Sequence, residues 1–263
     1  MSTETLAAPG LRFPTDAVRR TGALIKYNAL LRLRDPSQLI SYLVTPMIFM
    51  VVFAPLYKKA LGVDAVSAVT GQLVMFSVFS MAIVGNAIFV EREWRTWDRL
   101  RASRAAKAEL LIGKAVPVFV VLVFQQLVLV GYGWLVVGMH FPASLPLLVL
   151  AISVWGFTLL ALGSALATLV RSRGDLIVAV DLGAIVVSTI GGALLPVSLM
   201  PAWAQFAAPF SPGYWGLQML QSAINGDVAG VAKPALICLG MGVVAGSFAT
   251  YRLAHGWGRS HLV

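Results

Sequence analysis

With 263 residues, 59% of them hydrophobic and only 12% charged, and a mean hydropathy of +0.84, the chain is too apolar for an ordinary soluble domain, which carries about 25% charge. Its formal charge of +9 does not point to nucleic acid, because the basic residues sit in short segments between apolar blocks instead of on one folded face. The single cysteine, Cys238, lies inside an apolar block, which excludes an intrachain disulfide and a cysteine-built metal site.

Residues 1–38 read as a cytoplasmic N-terminal segment. Arg, Asp and Pro occur throughout it, without the apolar core and small-residue cleavage site of a secretory signal, so the first apolar block is expected to remain in the mature protein. Residues 14–34 set Val18, Leu24, Ile25, Leu30, Leu31 and Leu33 among basic residues. That pattern suits a helix lying in the cytoplasmic interface and anchoring the first span.

A helix rising ~1.5 Å per residue needs about 20 apolar residues to cross ~30 Å of hydrocarbon. By this measure 39–57, 66–90, 110–137, 146–170, 175–196 and 231–253 are six predicted spans in an all-α, polytopic transmembrane domain over 39–253. In the third span, Glu109 and Lys114 are expected at the membrane surface, with Pro117 in the first turns, where proline is best tolerated. Residues 197–230 contain no Arg or Lys, are broken by Pro201, Pro209 and Pro212, and carry Trp203, Phe206, Phe210, Tyr214 and Trp215. They read as short helices dipping into the outer leaflet behind an aromatic belt. The last residues, 254–263, form a cytoplasmic tail.

Arginine and lysine set the orientation. The segment before the first span, the loop after the second, Arg171, Arg173, Arg252 and Arg259 place all but Lys58, Lys59 and Lys233 of the 20 basic residues on one side. That side is expected to be cytoplasmic, with both termini on it, in a plasma membrane.

No catalytic constellation is present in the sequence. His140, His255 and His261 lack the spacing of helical metal ligands, and no phosphate-cradling glycine loop with its lysine occurs. The chain is therefore expected to be a transport subunit and not an enzyme, without a metal or cofactor of its own. Polar groups inside the spans are candidates for a substrate pathway: Asn86 late in the second, Gln125 and Gln126 near the middle of the third, and Asp181 in the fifth. Such amides also serve interhelical hydrogen bonds. Asp181 lies six positions past Asp175, about 9 Å deeper, where it meets either a cationic substrate or Arg171 and Arg173. Gly183, Gly191 and Gly192, with Ser188 and Thr189, offer small surfaces for close packing, as at a seam between two copies.

The loop between spans two and three reads EREWRTWDRLRASRAAKAEL. As a helix it spaces Trp94, Trp97 and Leu100 three apart, an apolar stripe for a membrane surface or a partner's groove, with Arg95 four residues beyond Glu91. Here the chain resembles the ABC-2 family of transporter permeases, especially the drug-exporter branch that includes daunorubicin-resistance permeases. Glu91, Glu93, Thr96, Asp98 and Leu100 match that family's loop, whereas Arg95 replaces a glycine and Arg104 stands where a proline is frequent. Pro196, Leu199, Pro201, Trp203, Pro212 and Tyr214 are similar to its extracytoplasmic re-entrant segment.

The resemblance implies a permease whose coupling helix, Glu91 and Glu93 through Trp94, Arg95, Thr96, Trp97, Asp98 and Leu100, docks on a separate ATPase subunit. That subunit would hold ATP and Mg. A second permease copy, identical or not, would complete an exporter of an amphipathic or hydrophobic, drug- or antibiotic-like compound. Membrane lipids surround it, and no nucleic acid is involved. Permeases for glycans or lipids in the same family, and an ion-coupled secondary transporter built around Asp181, are the alternative readings.

Overall fold

The computed structural model describes residues 14–34, 37–60, 62–93 and 107–254. Regular structure among them is helical throughout: α1 (Pro14–Arg34), α2 (Ser37–Ala60), α3 (Ala65–Phe79), α4 (Met81–Glu93), α5 (Lys107–Tyr132), α6 (Leu145–Leu169), α7 (Arg173–Ile190), α8 (Ala202–Ala207), α9 (Pro212–Asn225) and α10 (Val228–Ala254). A π-helical turn, Gly133–Val137, extends α5.

Five stretches are long and apolar enough to cross a membrane: Ile40–Lys59, Ala65–Phe89, Ile112–Val137, Leu145–Leu169 and Val228–Leu253. They match five of the six expected spans to within a few residues. The remaining candidate, α7, has 18 residues and carries Arg173, Asp175 and Asp181, so it falls outside that group on charge. It also stops at Ile190, short of the expected 196. The cause is a Schellman turn: Gly192 takes φ +90°, its N–H donates to Thr189 O at 3.2 Å, and Ala193 N–H donates to Ser188 O at 2.9 Å. At its start, Ser172 and Asp175 cap each other's backbone N–H groups at 3.0 and 3.1 Å. Helix α5 begins earlier than expected, at Lys107, so Pro117 falls about three turns in.

The second span is the centre of the bundle. Two-thirds of its apolar window is buried (67%), against 17% for Ile40–Lys59 and 22% for Val228–Leu253. It bends at Ser80, where α3 ends and α4 begins. Each polar side chain that it buries ties down a different helix. Thr70 Oγ1 accepts from Gln221 Nε2 of α9 at 3.3 Å, and Gln72 Nε2 donates to Tyr57 OH of α2 at 3.1 Å. Ser77 Oγ accepts from Trp155 Nε1 of α6 at 2.8 Å, and Ser80 Oγ donates to Gln125 Oε1 of α5 at 2.8 Å. Around this column pack Leu73, Ile83, Leu122, Leu129, Ile152, Trp155 and Leu159, all fully buried.

The two ends of the bundle differ in chemistry. Arg20, Lys114, Arg171, Arg173 and Arg252 lie at the end where α4 stops and α5 begins, while Lys58, Lys59 and Lys233 lie at the other, beside α8 and α9.

Candidate functional site

The basic end is assembled from α1 inward. Helix α1 lies along the start of α5, where the Arg20 guanidinium grips both carboxylate oxygens of Glu109, Nε to Oε2 at 3.0 Å and Nη2 to Oε1 at 3.1 Å. One turn on, Leu24 fills the notch left by Gly113, whose missing Cβ would lie 2.6 Å from the Leu24 Cβ. The expected anchor helix is thus fastened to α5, directly after the loop thought to contact a partner. Glu91 and Glu93 fall in the last turn of α4. Trp94, Arg95, Thr96, Trp97, Asp98 and Leu100 lie outside the described residues.

The polar residues inside the spans do not converge on one pocket. Asn86 Oδ1 accepts from Arg173 Nε at 3.1 Å, which joins α4 to the start of α7. Gln125 is buried and bridges two helices, accepting from Ser80 and donating through Nε2 to Tyr42 O of α2 at 3.1 Å. Gln126 is fully buried and donates to Leu122 O at 3.3 Å, leaving its Oε1 without a partner. Asp181 is exposed, on a face of α7 that also presents Ile177, Val178, Leu182, Ile185 and Val186. Its neighbours Val180 and Ala184 look the other way, into an apolar cavity of about 320 Å³ lined also by Trp155, Leu159 and Pro212.

At the opposite end, Pro196 precedes a 3₁₀ turn, Val197–Leu199, and Pro201 precedes α8. Trp203 and Phe206 on α8 are 69% and 77% exposed, an outward aromatic face. Pro212 opens α9 at a position where a missing N–H is harmless. Tyr214 packs edge-on against Trp215 at 5.0 Å, and Lys233 Nζ sits 5.6 Å from a Trp215 ring.

Helix α9 itself runs into the bundle. Met219, Leu220, Ala223 and Ile224 are fully buried, and Gly216 lies flat on Trp155, where a Cβ would approach to 2.8 Å. Its start is locked to the end of α7: Ser211 Oγ donates to Val187 O at 2.7 Å, and a Cβ on Gly191 would come within 2.7 Å of Tyr214 N. Gly191 and Gly192 therefore serve the chain's own turn and its contact with α9. Gly183 meets nothing within 4 Å.

Sequence reasoning passed over Tyr57, Gln72, Ser77, Ser80 and Trp155. The one available signal was the recurrence of Thr70, Gln72, Ser77 and Ser80 in an otherwise apolar span.

A family model described as "ABC-2 type transporter" matches residues 19–225, from α1 through α9. The chain is 27% identical over 125 residues to the protein named "Probable multidrug ABC transporter permease YbhR" of Escherichia coli K12, covering 48% of this chain and 34% of that one. It is 25% identical over 174 residues to "Linearmycin resistance permease protein LnrN" of Bacillus subtilis, covering 64% of this chain and 45% of that one. The chain thus spans between a third and a half of the length of these relatives.

Proposed function

Because the chain belongs to the ABC-2 type transporter family, we propose that this multi-pass membrane protein is the permease subunit of an ATP-driven exporter for amphipathic or hydrophobic, drug- or antibiotic-like compounds. ATP and Mg would be held by a separate cytoplasmic subunit, and two permease copies would enclose the path. The observation that carries this reading is the family match across 19–225, which takes in every helix from α1 to α9.

The geometry supports the finer parts. Helix α7, 18 residues or about 27 Å long, is the fifth of six spans in chain order, and the basic end is cytoplasmic by the excess of Arg and Lys there. Glu91 and Glu93, leading into residues 94–100, form the contact with the ATPase. Force received there enters α5 beside the α1 clamp and enters α4 below the bend at Ser80. Helices α8 and α9 are the re-entrant segment of the outer side.

A carboxylate costs about 2.5–3.5 kcal/mol at the centre of a membrane helix and is ordinarily turned toward a partner or an aqueous route. The exposed face of α7 that carries Asp181 is apolar otherwise, so it faces the second copy or the pathway, not lipid.

The test is affinity purification of the chain from its native membrane in mild detergent. Stoichiometric recovery of an ATP-hydrolysing subunit, stimulated by a transported compound, is the expected result. Its repeated absence under conditions that preserve membrane complexes would overturn the reading in favour of an ion-coupled carrier.

A further inference from the structure

A second cavity lies on the other side of the bundle from the exposed face of α7. It has a volume of about 210 Å³ and sits between α4, α5, α6 and α10 at the basic end. Its walls are apolar, with Ile88, Val118, Phe157, Ala161 and Leu253 among them, and Lys114 is the one charged lining residue among the described residues. Ser164 and Thr250 also line it, but their hydroxyls donate within their own helices, to Leu160 O at 2.7 Å and Gly246 O at 2.8 Å.

The depth of the cleft is that of one leaflet. Lys114 is two residues into the apolar stretch that begins at Ile112, and Leu253 ends the apolar stretch of α10. Phe157 lies twelve residues before Leu169, the last residue of α6, so the far wall stands about 18 Å in from the basic end by helical rise. Half of a ~30 Å hydrocarbon core is about 15 Å. Ala161 of α6 and Gly246 of α10 both line the cleft, and a Cβ on Gly246 would meet the Ala161 Cβ at an ordinary 3.6 Å. Its volume leaves room for a run of methylenes.

We infer that this cleft is a binding site for one acyl chain of an anionic phospholipid, with the phosphate held at Lys114. Lys114 already interacts within the chain, and an ammonium has three donors, so an anion adds to its contacts without replacing them. The combination distinguishes lipid from a compound in transit: an apolar slot of leaflet depth, one cation among its described lining residues, at the headgroup level, and two hydroxyls there that already donate within their own helices. The site requires neither the ATPase nor the path along α7.

The experiment uses the full chain in detergent, equilibrated with equal amounts of phosphatidylglycerol and phosphatidylcholine bearing the same acyl chains, and counts retained lipid by native mass spectrometry. Wild-type protein is expected to retain phosphatidylglycerol over phosphatidylcholine by about five-fold, the ratio one basic residue near the surface provides. Lys114→Arg keeps that preference and Lys114→Gln abolishes it. Ala161→Phe, which fills the slot, removes retention of both lipids. Glycerol phosphate, which has the charge without the chain, displaces nothing. An unchanged ratio in Lys114→Gln, lipid retained by folded Ala161→Phe as in wild type, or displacement by glycerol phosphate would each overturn the site. The Gln and Arg pair decides the matter if the phenylalanine variant fails to fold.

Discussion

Reversing the charge of Glu109 tests whether α1 is a clamp on α5 or a passenger on the membrane surface. Glu109 is only 12% exposed and Arg20 is 37% exposed, with two bonds at 3.0 and 3.1 Å between them. Exposed ion pairs contribute about 0–1 kcal/mol, and removing one partner of a buried pair costs about 3–5 kcal/mol. This pair, covered on one side, falls between them, at about 1–2 kcal/mol, a factor of roughly 5–30 in the docking equilibrium. In Glu109→Arg the two guanidinium groups repel, so backbone amides of 14–34 should exchange hydrogen faster by at least that factor, while amides of α6 and α9 stay protected. Arg20→Glu combined with Glu109→Arg restores the pair and most of the protection. Under the proposed function, compound-stimulated ATP turnover should follow the same order. Wild-type exchange across α1 in the single variant, or no recovery in the double, would refute the clamp.

Four further outcomes are expected. Ser77→Ala leaves Trp155 Nε1–H unpaired in a fully buried site and should lower the stability of the detergent-solubilised protein by about 1–3 kcal/mol; Trp155→Phe in the same background should recover part of it, and additive losses would dismiss the bond. Gly191→Val drives side-chain atoms into the backbone of Gly213 and Tyr214, so a protease site engineered at Pro209 should be cut faster, and unchanged cleavage would argue against the α7–α9 lock. Glu91→Ala with Glu93→Ala should uncouple export from ATP turnover while membrane insertion persists, and coupled export at the wild-type rate would remove their role. Asp181→Asn should weaken export of cationic compounds more than neutral ones, whereas equal losses would assign the carboxylate to packing.

Hydropathy located the helices well because lipid removes the alternatives: an apolar run of sufficient length has to satisfy its own backbone, and a helix does so. It failed at the end of the fifth expected span because Gly191 and Gly192, near neutral in hydropathy, close a Schellman turn whose bonds to Ser188 and Thr189 depend on backbone conformation. The late segment announced its irregularity through its prolines. Its burial was not legible, since α9 enters the bundle only where Gly213 and Gly216 meet Val187 and Trp155, residues far away in sequence. Polar side chains were legible in proportion to their size. Gln125 stood out as an amide in mid-span, but its assignment to a pathway took no account of Ser80 and Tyr42, which the fold brings to it. Ser77 and Ser80 passed unnoticed because a helical serine can satisfy itself on its own turn, as both also do here on Val74 O and Phe76 O.

These serines explain why the second span, and not the charged first or last, is the mechanical centre. Helix α4 carries Glu91 and Glu93 at the basic end, and α3 reaches the aromatic end, where a Cβ on Gly71 would clash with Ala193 O and where Tyr57, bonded to Gln72, also donates to Leu194 O at 3.1 Å. Between them the bend at Ser80 is held by one bond to Gln125, which in turn holds α2 through Tyr42 O. That Ser80–Gln125–Tyr42 bridge lies between the fully buried Leu73 and Ile83, so a displacement of α4 relative to α3 would strain or break it. Breaking the Ser80–Gln125 bond leaves Gln125 Oε1 without a donor in an apolar interior, whereas the Ser80 hydroxyl still has Phe76 O to donate to.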